Sequence, residues 1–303
     1  MNKVDAIISV AGWEERFVRG LEKDIDAVSP AQIVMLAFAE FLAMTEQKRT
    51  EAIGYAEGKG VDCKQLVLRR EPKEIWRALR NLFGSAEWNK RSVLMDITTM
   101  PREVIWWTLS FLKQAQCSIS FVYHRAASYS SAWLTRDTAQ PRLVYQYSGI
   151  AKLGKPTCLL LLNGFDIDRS AHMVQYFEPK LLLLGLQSGS QFGNEEKNVG
   201  QAVLLNERIK NISTFKLDAF GEDAGYAAIL EAVNPVLSEF NIVAASLGPK
   251  TSAISLFQLI STHPEIALAY APSMQFNPEY SEGIGESIMG TIGEVSPIDL
   301  ANV

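Results

Sequence analysis

The sequence predicts an α/β protein of two tandem Rossmann-like units, residues 1–150 and residues 151–303 with a C-terminal tail, that arose by internal duplication. In both halves, short apolar runs of strand length alternate with amphipathic stretches of helical period. This alternation is typical of a mainly parallel sheet flanked by helices. The order of elements is the same in both halves, and three local motifs recur at offsets of 152, 148 and 147 residues. Such constant spacing indicates a repeat.

The first half contains five predicted strands, at residues 6–10, 32–37, 65–68, 92–97 and 118–123. An amphipathic helix follows each of the first four strands, at residues 14–26, 46–58, 71–83 and 102–114. The helix 71–83 shows the pattern, because Ile75, Leu79 and Leu82 recur at intervals of three and four and form one apolar stripe. We therefore expect a five-stranded, mainly parallel sheet with right-handed crossovers.

The second half repeats this arrangement with five more predicted strands, at residues 158–163, 180–186, 213–217, 241–246 and 266–270. The intervening helices are expected at residues 168–177, 196–210, 223–240 and 251–261. The resulting sheet has the same number of strands as the first.

Composition limits the classes of function. The chain has 303 residues, a net charge of -5 and a pI near 5.4, a balance that argues against a dedicated nucleic-acid binder. It shows neither a signal peptide nor an apolar run long enough to span a membrane, and its three cysteines are scattered. These features favour a cytoplasmic protein. His124, His172 and His263 have no cysteine or histidine at ligand spacing, so no metal site and no cofactor are expected.

The first recurring motif follows the first strand of each half and combines a glycine, acids and an arginine. Its residues are Gly12, Glu14, Glu15 and Arg16 in the first half and Gly164, Asp166, Asp168 and Arg169 in the second. At the carboxyl end of a parallel strand, such acids could hydrogen-bond a ribose or a base. Alternatively, the acids complement the helix dipole and the arginine forms an intrahelical pair.

The second recurring motif follows the fourth strand and places hydroxyls, a proline and a cation where a helix begins. Its residues are Asp96, Thr98, Thr99 and Arg102 in the first half and Ser246, Gly248 and Lys250 in the second. A helix N-terminus favours phosphate or carboxylate, and a nearby cation strengthens that preference. The same residues also fit an ordinary N-cap with proline at the first helical position.

The third recurring region follows the fifth strand, where Tyr123 matches Tyr270. The loop beyond it contains Tyr129 in the first half, and Tyr280 and Glu282 in the second. Such aromatic and polar residues could stack on a base, form a subunit contact or pack between domains.

The stretches 96–102 and 246–250 resemble the strand-end loops of CARF domains, which together with SLOG domains are Rossmann-like nucleotide sensors of prokaryotic defence systems. CARF domains place threonine, glycine and lysine at the start of a helix where cyclic oligonucleotides bind, and they pair two units about a two-fold axis. The resemblance implies nucleotide binding and a role in antiviral defence. A duplicated single chain could supply both units of such a pair.

Three functions remain open on this sequence. The first is a sensor or regulatory subunit that binds a nucleotide or another phosphorylated small molecule. The second is a scaffold or assembly subunit that contacts a protein partner or another copy of itself. The third is an enzyme acting on a nucleotide or glycosyl phosphate, with Asp96, Glu14 or Glu15 as the candidate general acid or base.

Overall fold

A computed structural model describes residues 3–130, 133, 135–164, 166–188, 209 and 211–293. The helix expected at residues 196–210 falls almost wholly outside these residues. The chain divides into two compact units. Unit 1 comprises Met1–Ala132 with Pro278–Glu294, and unit 2 comprises Trp133–Asn277 with Val295–Val303.

The described residues form sixteen strands and seven α-helices. The strands are β1 Ala6–Val10, β2 Gln32–Phe38, β3 Asp62–Leu68, β4 Ser92–Asp96, β5 Ser118–His124, β6 Ser128–Tyr129, β7 Thr135–Thr138, β8 Arg142–Leu143, β9 Thr157–Leu162, β10 Leu181–Gln187, β11 Ile212–Leu217, β12 Asn241–Ser246, β13 Ala267–Tyr270, β14 Ser273–Phe276, β15 Ser281–Glu282 and β16 Ser287–Thr291. The helices are α1 Glu15–Val28, α2 Leu42–Gly58, α3 Pro72–Phe83, α4 Arg102–Gln114, α5 Ile167–Phe177, α6 Tyr226–Val233 and α7 Thr251–Thr262. None of these helices has the length and apolar character that crossing a membrane requires.

Each unit contains one mainly parallel six-stranded sheet flanked by helices. The strand order is β16-β5-β4-β1-β2-β3 in unit 1 and β8-β13-β12-β9-β10-β11 in unit 2. Read from the same edge, the two orders are equivalent, so the predicted fold class of tandem Rossmann-like units is confirmed. Every residue of β1 is buried, as is typical of a parallel strand covered by helices on both faces.

The apolar faces of the helices form the cores. In unit 1, Phe17, Leu21 and Ile25 of α1 pack with Ile33 and Met35 of β2. Unit 2 has the corresponding cluster, in which Met173 and Val174 of α5 pack with leucines of β9 and β10. The stripe predicted for α3 is also present, since Ile75 and Leu79 are buried.

The prediction of five strands per sheet was wrong, because each sheet carries a sixth, antiparallel strand at its edge. In unit 1, β16 pairs with β5, with Ser287 opposite His124 and Thr291 opposite Ser120. In unit 2, the two-residue strand β8 pairs with β13. β8 has only two residues, and both added strands are partly exposed. They therefore lack the apolar run by which a buried strand is recognised.

The edge strands explain why the units do not divide at residue 150, where the sequence places the boundary. Unit 1 takes its edge strand from residues 278–294, and unit 2 takes its edge strand from residues 133–150. Two small antiparallel pairs follow the same rule, because β6 pairs with β15 within unit 1 and β7 pairs with β14 within unit 2. Backbone hydrogen bonds, which sequence patterns do not reveal, therefore decide which segment belongs to which unit.

Gly290 allows β16 to lie against β5. A Cβ atom built on Gly290 would come within 2.5 Å of Phe121 Cε1, on the residue directly opposite. We expect Gly290→Ala to lower the free energy of unfolding of unit 1 by about 1–3 kcal/mol, because the buried ring must shift. Gly293→Ala is the matched control, since nothing lies within 4 Å of its Cβ position. Calorimetry of both variants would contradict this packing role if their unfolding temperatures were equal.

Candidate functional site

In unit 1, the motif after β1 forms a buried ion pair. Glu14 is the N-cap of α1, and Arg16 lies in the first turn. The guanidinium Nε of Arg16 donates to Glu14 Oε2, and only 2% of Arg16 and 8% of Glu14 is exposed. Tyr280 and Ser281 complete the environment, because their hydroxyls donate to Glu14 at 2.9 and 2.7 Å.

Three tyrosines surround the guanidinium of Arg16, and with Glu14 they form what we call the Arg16 cluster. The rings of Tyr123, Tyr129 and Tyr280 lie within 6.0 Å of the guanidinium carbon. Burial by itself lowers the pKa of Arg16, but Glu14 and the three tyrosines together outweigh it, so the pKa is raised and the arginine stays charged. The structure thus brings Tyr280 together with Glu14 and Arg16, which the sequence placed in a different motif, and directs their polar atoms at one another.

An open cleft of about 710 Å³ lies beside this cluster. It is lined by Trp13, Glu14, Glu15, Val18, Arg19, Lys48, Glu51, Ser128, Tyr129, Ser130, Pro278, Glu279, Ser281 and Glu282. Five glutamates face one arginine and one lysine, and those cations already pair with Glu22 and Glu51. The cleft is therefore negative, which suits an uncharged or cationic group and disfavours phosphate.

The motif after β4 forms hydrogen bonds that link the ends of β1, β4 and β5 in unit 1. Asp96 has no exposed surface, and its two carboxylate oxygens accept from Ser9 Oγ at 2.8 Å and from the backbone N–H of Thr98 at 2.9 Å. Thr98 Oγ1 accepts from the backbone N–H of His124 at 2.9 Å. Thr99 donates to the carbonyl of Val10. Asp96 and Thr98 thus lie beneath the surface of the unit.

Asp96 belongs to a buried group with Asp24 of α1 and His124 of β5. One ligand atom from each of these residues lies within 4.8 Å of the others. His124 Nε2 is 3.2 Å from Asp24 Oδ2, and His124 Nδ1 is 2.7 Å from Ser287 Oγ. Burial raises the pKa of Asp24 to about 6. Asp24 was not predicted from the sequence, because one aspartate within an amphipathic helix has no distinguishing pattern.

In unit 2, the motif after β9 is also partly buried. Asp166 is the N-cap of α5 and accepts from the backbone N–H of Arg169 at 3.1 Å. The hydroxyl of Thr135 donates to the same carboxylate at 2.5 Å. Arg169 is 8% exposed, and its Nη2 donates to the carbonyl of Ala271. Asp168 is exposed, so the three polar residues of this motif do not share one surface.

Two glycines bring the strand ends of unit 2 into close contact. A Cβ atom on Gly164 would lie 1.9 Å from the carbonyl oxygen of Leu247. One on Gly248 would lie 2.7 Å from the carbonyl oxygen of Asn163 and 2.8 Å from Gln187 Nε2. The carboxyl ends of β9, β10 and β12 therefore meet at one place, beneath the first turn of α7.

The first turns of α4 and α7 differ in charge. Arg102 begins α4 and is followed by Glu103, a buried acid in the first turn. Lys250 is the N-cap residue of α7, whose first turn contains no acid. Ser246 Oγ and Ser252 Oγ form a hydrogen bond of 2.6 Å between the end of β12 and this turn. Because no carboxylate of its own first turn offsets the helix dipole, α7 presents the more positive N-terminus.

Comparisons with known proteins give a likeness of fold. No protein-family model matches the chain, and no curated protein matches its sequence. A Type III CRISPR defence DNA nuclease activated by cyclic oligoadenylate superposes with a TM-score of 0.56 at 10% identity, over 83% of this chain and 63% of the nuclease. The chain shares this fold. It spans less than two thirds of the nuclease, and the likeness agrees, at the level of fold, with the resemblance to defence proteins that the sequence indicated.

The cytoplasmic domain of a prokaryotic cation chloride cotransporter also aligns, over 89% of this chain and 96% of that domain at 12% identity. Its TM-score of 0.30 is too low to support any argument about this chain.

Removal of one hydroxyl tests the Arg16 cluster. We expect Tyr280→Phe to lower the free energy of unfolding by about 1–3 kcal/mol, because it leaves buried charged groups short of a hydrogen-bond partner. Tyr176→Phe is the control, since Tyr176 is 43% exposed. Chemical denaturation would measure both, and an unchanged midpoint for Tyr280→Phe would show that its hydroxyl contributes nothing to the cluster.

Alanine at the two matched glycines tests the close packing of unit 2. Gly164→Ala places a Cβ atom against backbone, whereas Gly12→Ala meets the side chain of Thr99 at 2.7 Å. A side chain yields more readily than backbone, so we expect losses of about 3 and about 1 kcal/mol, respectively. Thermal unfolding of both variants would contradict this expectation if Gly12→Ala lowered the unfolding temperature more than Gly164→Ala.

Proposed function

We propose that this protein is a sensor or regulatory subunit of a prokaryotic defence system that binds a nucleotide of the cyclic oligoadenylate class. The observation that carries the proposal is the convergence in unit 2 of the ends of β9, β10 and β12 under the N-terminus of α7. The fold shared with the nuclease supports it. In open parallel sheets, ligands bind beyond the carboxyl ends of the strands, and these residues occupy that position.

A phosphate group suits this part of unit 2 for electrostatic reasons. The first turn of α7 exposes no carboxylate of its own to an incoming anion, and the partly exposed Lys250 stands at its start. Gly248 allows the strand ends to pack closely, because the position that its Cβ would take lies against Asn163 and Gln187. Backbone N–H groups at a helix N-terminus, together with a cation, provide a recurrent means of binding phosphate.

Unit 1 by itself suits a different kind of group. Its cleft is rich in glutamate, so it would repel phosphate, whereas Glu15 and Glu282 can accept hydrogen bonds from sugar hydroxyls or a base. Trp13 and Tyr129 line the same cleft and offer aromatic surface for stacking. We therefore assign phosphate recognition to unit 2 and keep Glu15 and Glu282 as proposed contacts to uncharged groups.

The burial of Asp96 favours a sensor over an enzyme. This carboxylate has no exposed surface and both its oxygens accept hydrogen bonds within the unit. A general acid or base must reach the proton that it transfers, directly or through one water. Asp96 is therefore better explained as a tie between strand ends than as a catalytic group.

Substitution of Lys250 tests the proposal. Isothermal titration with ATP and with cyclic oligoadenylates of different ring size should show binding to the wild type. We expect Lys250→Ala to weaken that binding about 10- to 100-fold, as loss of a charge-assisted contact does. Arg102→Ala should leave it nearly unchanged, because Arg102 belongs to unit 1 and Glu103 already offsets the N-terminus of α4. The unfolding temperature should stay nearly constant, since both residues are partly exposed.

Lys152→Ala is the matched control, because Lys152 is an exposed lysine of unit 2 at the amino end of β12, away from the carboxyl ends of the strands. If folded wild-type protein binds no member of this ligand panel, the proposed ligand class is wrong. If Lys250→Ala binds as tightly as the wild type, the proposed phosphate site is wrong.

A further inference from the structure

We propose that Asp24, Asp96 and His124 bind one divalent transition-metal ion, of the zinc or manganese class, in the interior of unit 1. This proposal is independent of the nucleotide proposal. The three side chains come from α1, the end of β4 and the end of β5, and their ligand atoms all lie within 4.8 Å of one another. No two of them are close in sequence. The spacing of histidines and cysteines, from which no metal site was expected, therefore could not reveal the group.

The spacing of the side chains matches a metal site. Zinc holds nitrogen and oxygen ligands at about 2.0–2.1 Å in a tetrahedron, which puts neighbouring ligand atoms about 3.3 Å apart. His124 Nε2 and Asp24 Oδ2 are 3.2 Å apart. The widest pair of ligand atoms, at no more than 4.8 Å, would need to close by at most about 1.5 Å.

The charge of the group requires compensation. Asp24 and Asp96 are 4% and 0% exposed, and His124 is 1% exposed. Two carboxylates in a dry interior carry a charge of about -2, and one imidazolium offsets half of it. Lys23 also acts on Asp24 and His124, but this lysine is exposed, so water screens its charge. A divalent cation with a neutral imidazole would balance both carboxylates.

Surrounding residues hold the proposed ligands in place. In the tautomer that donates from Nδ1 of His124 to Ser287 Oγ, at 2.7 Å, the lone pair of Nε2 faces Asp24, and a metal ion there would replace the contact between Nε2 and Asp24 Oδ2. Asp96 is held by Ser9 and by the backbone N–H of Thr98. Metal-binding histidines and carboxylates are commonly oriented in this way by neighbouring hydrogen bonds.

The set of donor atoms selects the class of metal. One imidazole nitrogen and two carboxylates suit zinc or manganese, whereas magnesium and calcium prefer oxygen ligands throughout. The ion would stabilise the unit rather than react with a substrate, because the group is closed to solvent. Since Ser287 lies on β16, metal binding would also strengthen the attachment of the edge strand through His124.

The test uses the full chain, free of any histidine tag. Protein stripped with a chelator is dialysed against Zn²⁺ or Mn²⁺, and the metal content per chain is measured by mass spectrometry. We expect one ion per wild-type chain and an unfolding temperature that rises when the ion binds. Asp24→Asn and His124→Gln should each bind the ion at least about 10-fold more weakly, the smaller end of the effect of altering a metal site.

His263→Gln is the matched control, because His263 also pairs with a carboxylate, Glu265 at 3.6 Å, but near the surface. It should retain the ion. The proposed site does not exist if folded wild-type protein binds neither metal at a stoichiometric level. The same conclusion follows if Asp24→Asn binds the ion as tightly as the wild type, and the three residues are then only a buried hydrogen-bonded group. Should His124→Gln fail to fold, the wild-type metal content and the nearly isosteric Asp24→Asn decide the question.

Discussion

The buried pair of Glu14 and Arg16 is the interaction on which the carboxyl edge of unit 1 depends. A charge removed from water must be paired and fully hydrogen-bonded, or the unit loses several kcal/mol. The tyrosine hydroxyls and Ser281 supply those bonds. Two of the groups, Tyr280 and Ser281, belong to the segment that leads to β16. The ion pair therefore gives a chemical reason why residues 278–293 fold with unit 1, although unit 2 lies between them and the rest of that unit in sequence.

The two sheets have equivalent strand orders, yet their carboxyl edges differ in chemistry. Unit 1 fills this edge with buried charged side chains that are hydrogen-bonded within the unit, namely Glu14, Arg16 and Asp96. Unit 2 uses small residues there, and Gly164 and Gly248 let backbone contact backbone. Buried and hydrogen-bonded charges support rigidity at the edge of unit 1, whereas the positive end of α7 at the edge of unit 2 suits an anion. Two units of the same architecture can therefore have different roles, because function depends on the side chains and not on the fold.

Much of the fold follows from the sequence, because a core imposes periodicity. Ile75 and Leu79 of α3 fall on one buried stripe, and the fully buried β1 is an apolar run interrupted only by Ser9, so both elements were predicted within a few residues. The edge strands were not predicted. Gly290 and its neighbours in β16 are alternately half-buried and exposed, and they form a strand only because they hydrogen-bond to the backbone of β5.

In the candidate site, the motifs at residues 12–16 and 96–102 stood out in the sequence because they recur. Their partners Asp24 and Ser281 did not, because each is a single polar residue.

The sequence by itself determined the α/β class, the repeated order of elements and the polar motifs at the strand ends. These features depend on local periodicity and on residue types that end strands and begin helices. Only the tertiary structure decided that Arg16 faces Tyr280, that Asp24 and His124 meet Asp96, and that residues 278–293 complete unit 1. Each of these depends on residues that are distant in sequence. Such contacts form because a buried charge or a buried backbone group without a partner costs free energy, and the partners can come from any part of the folded chain.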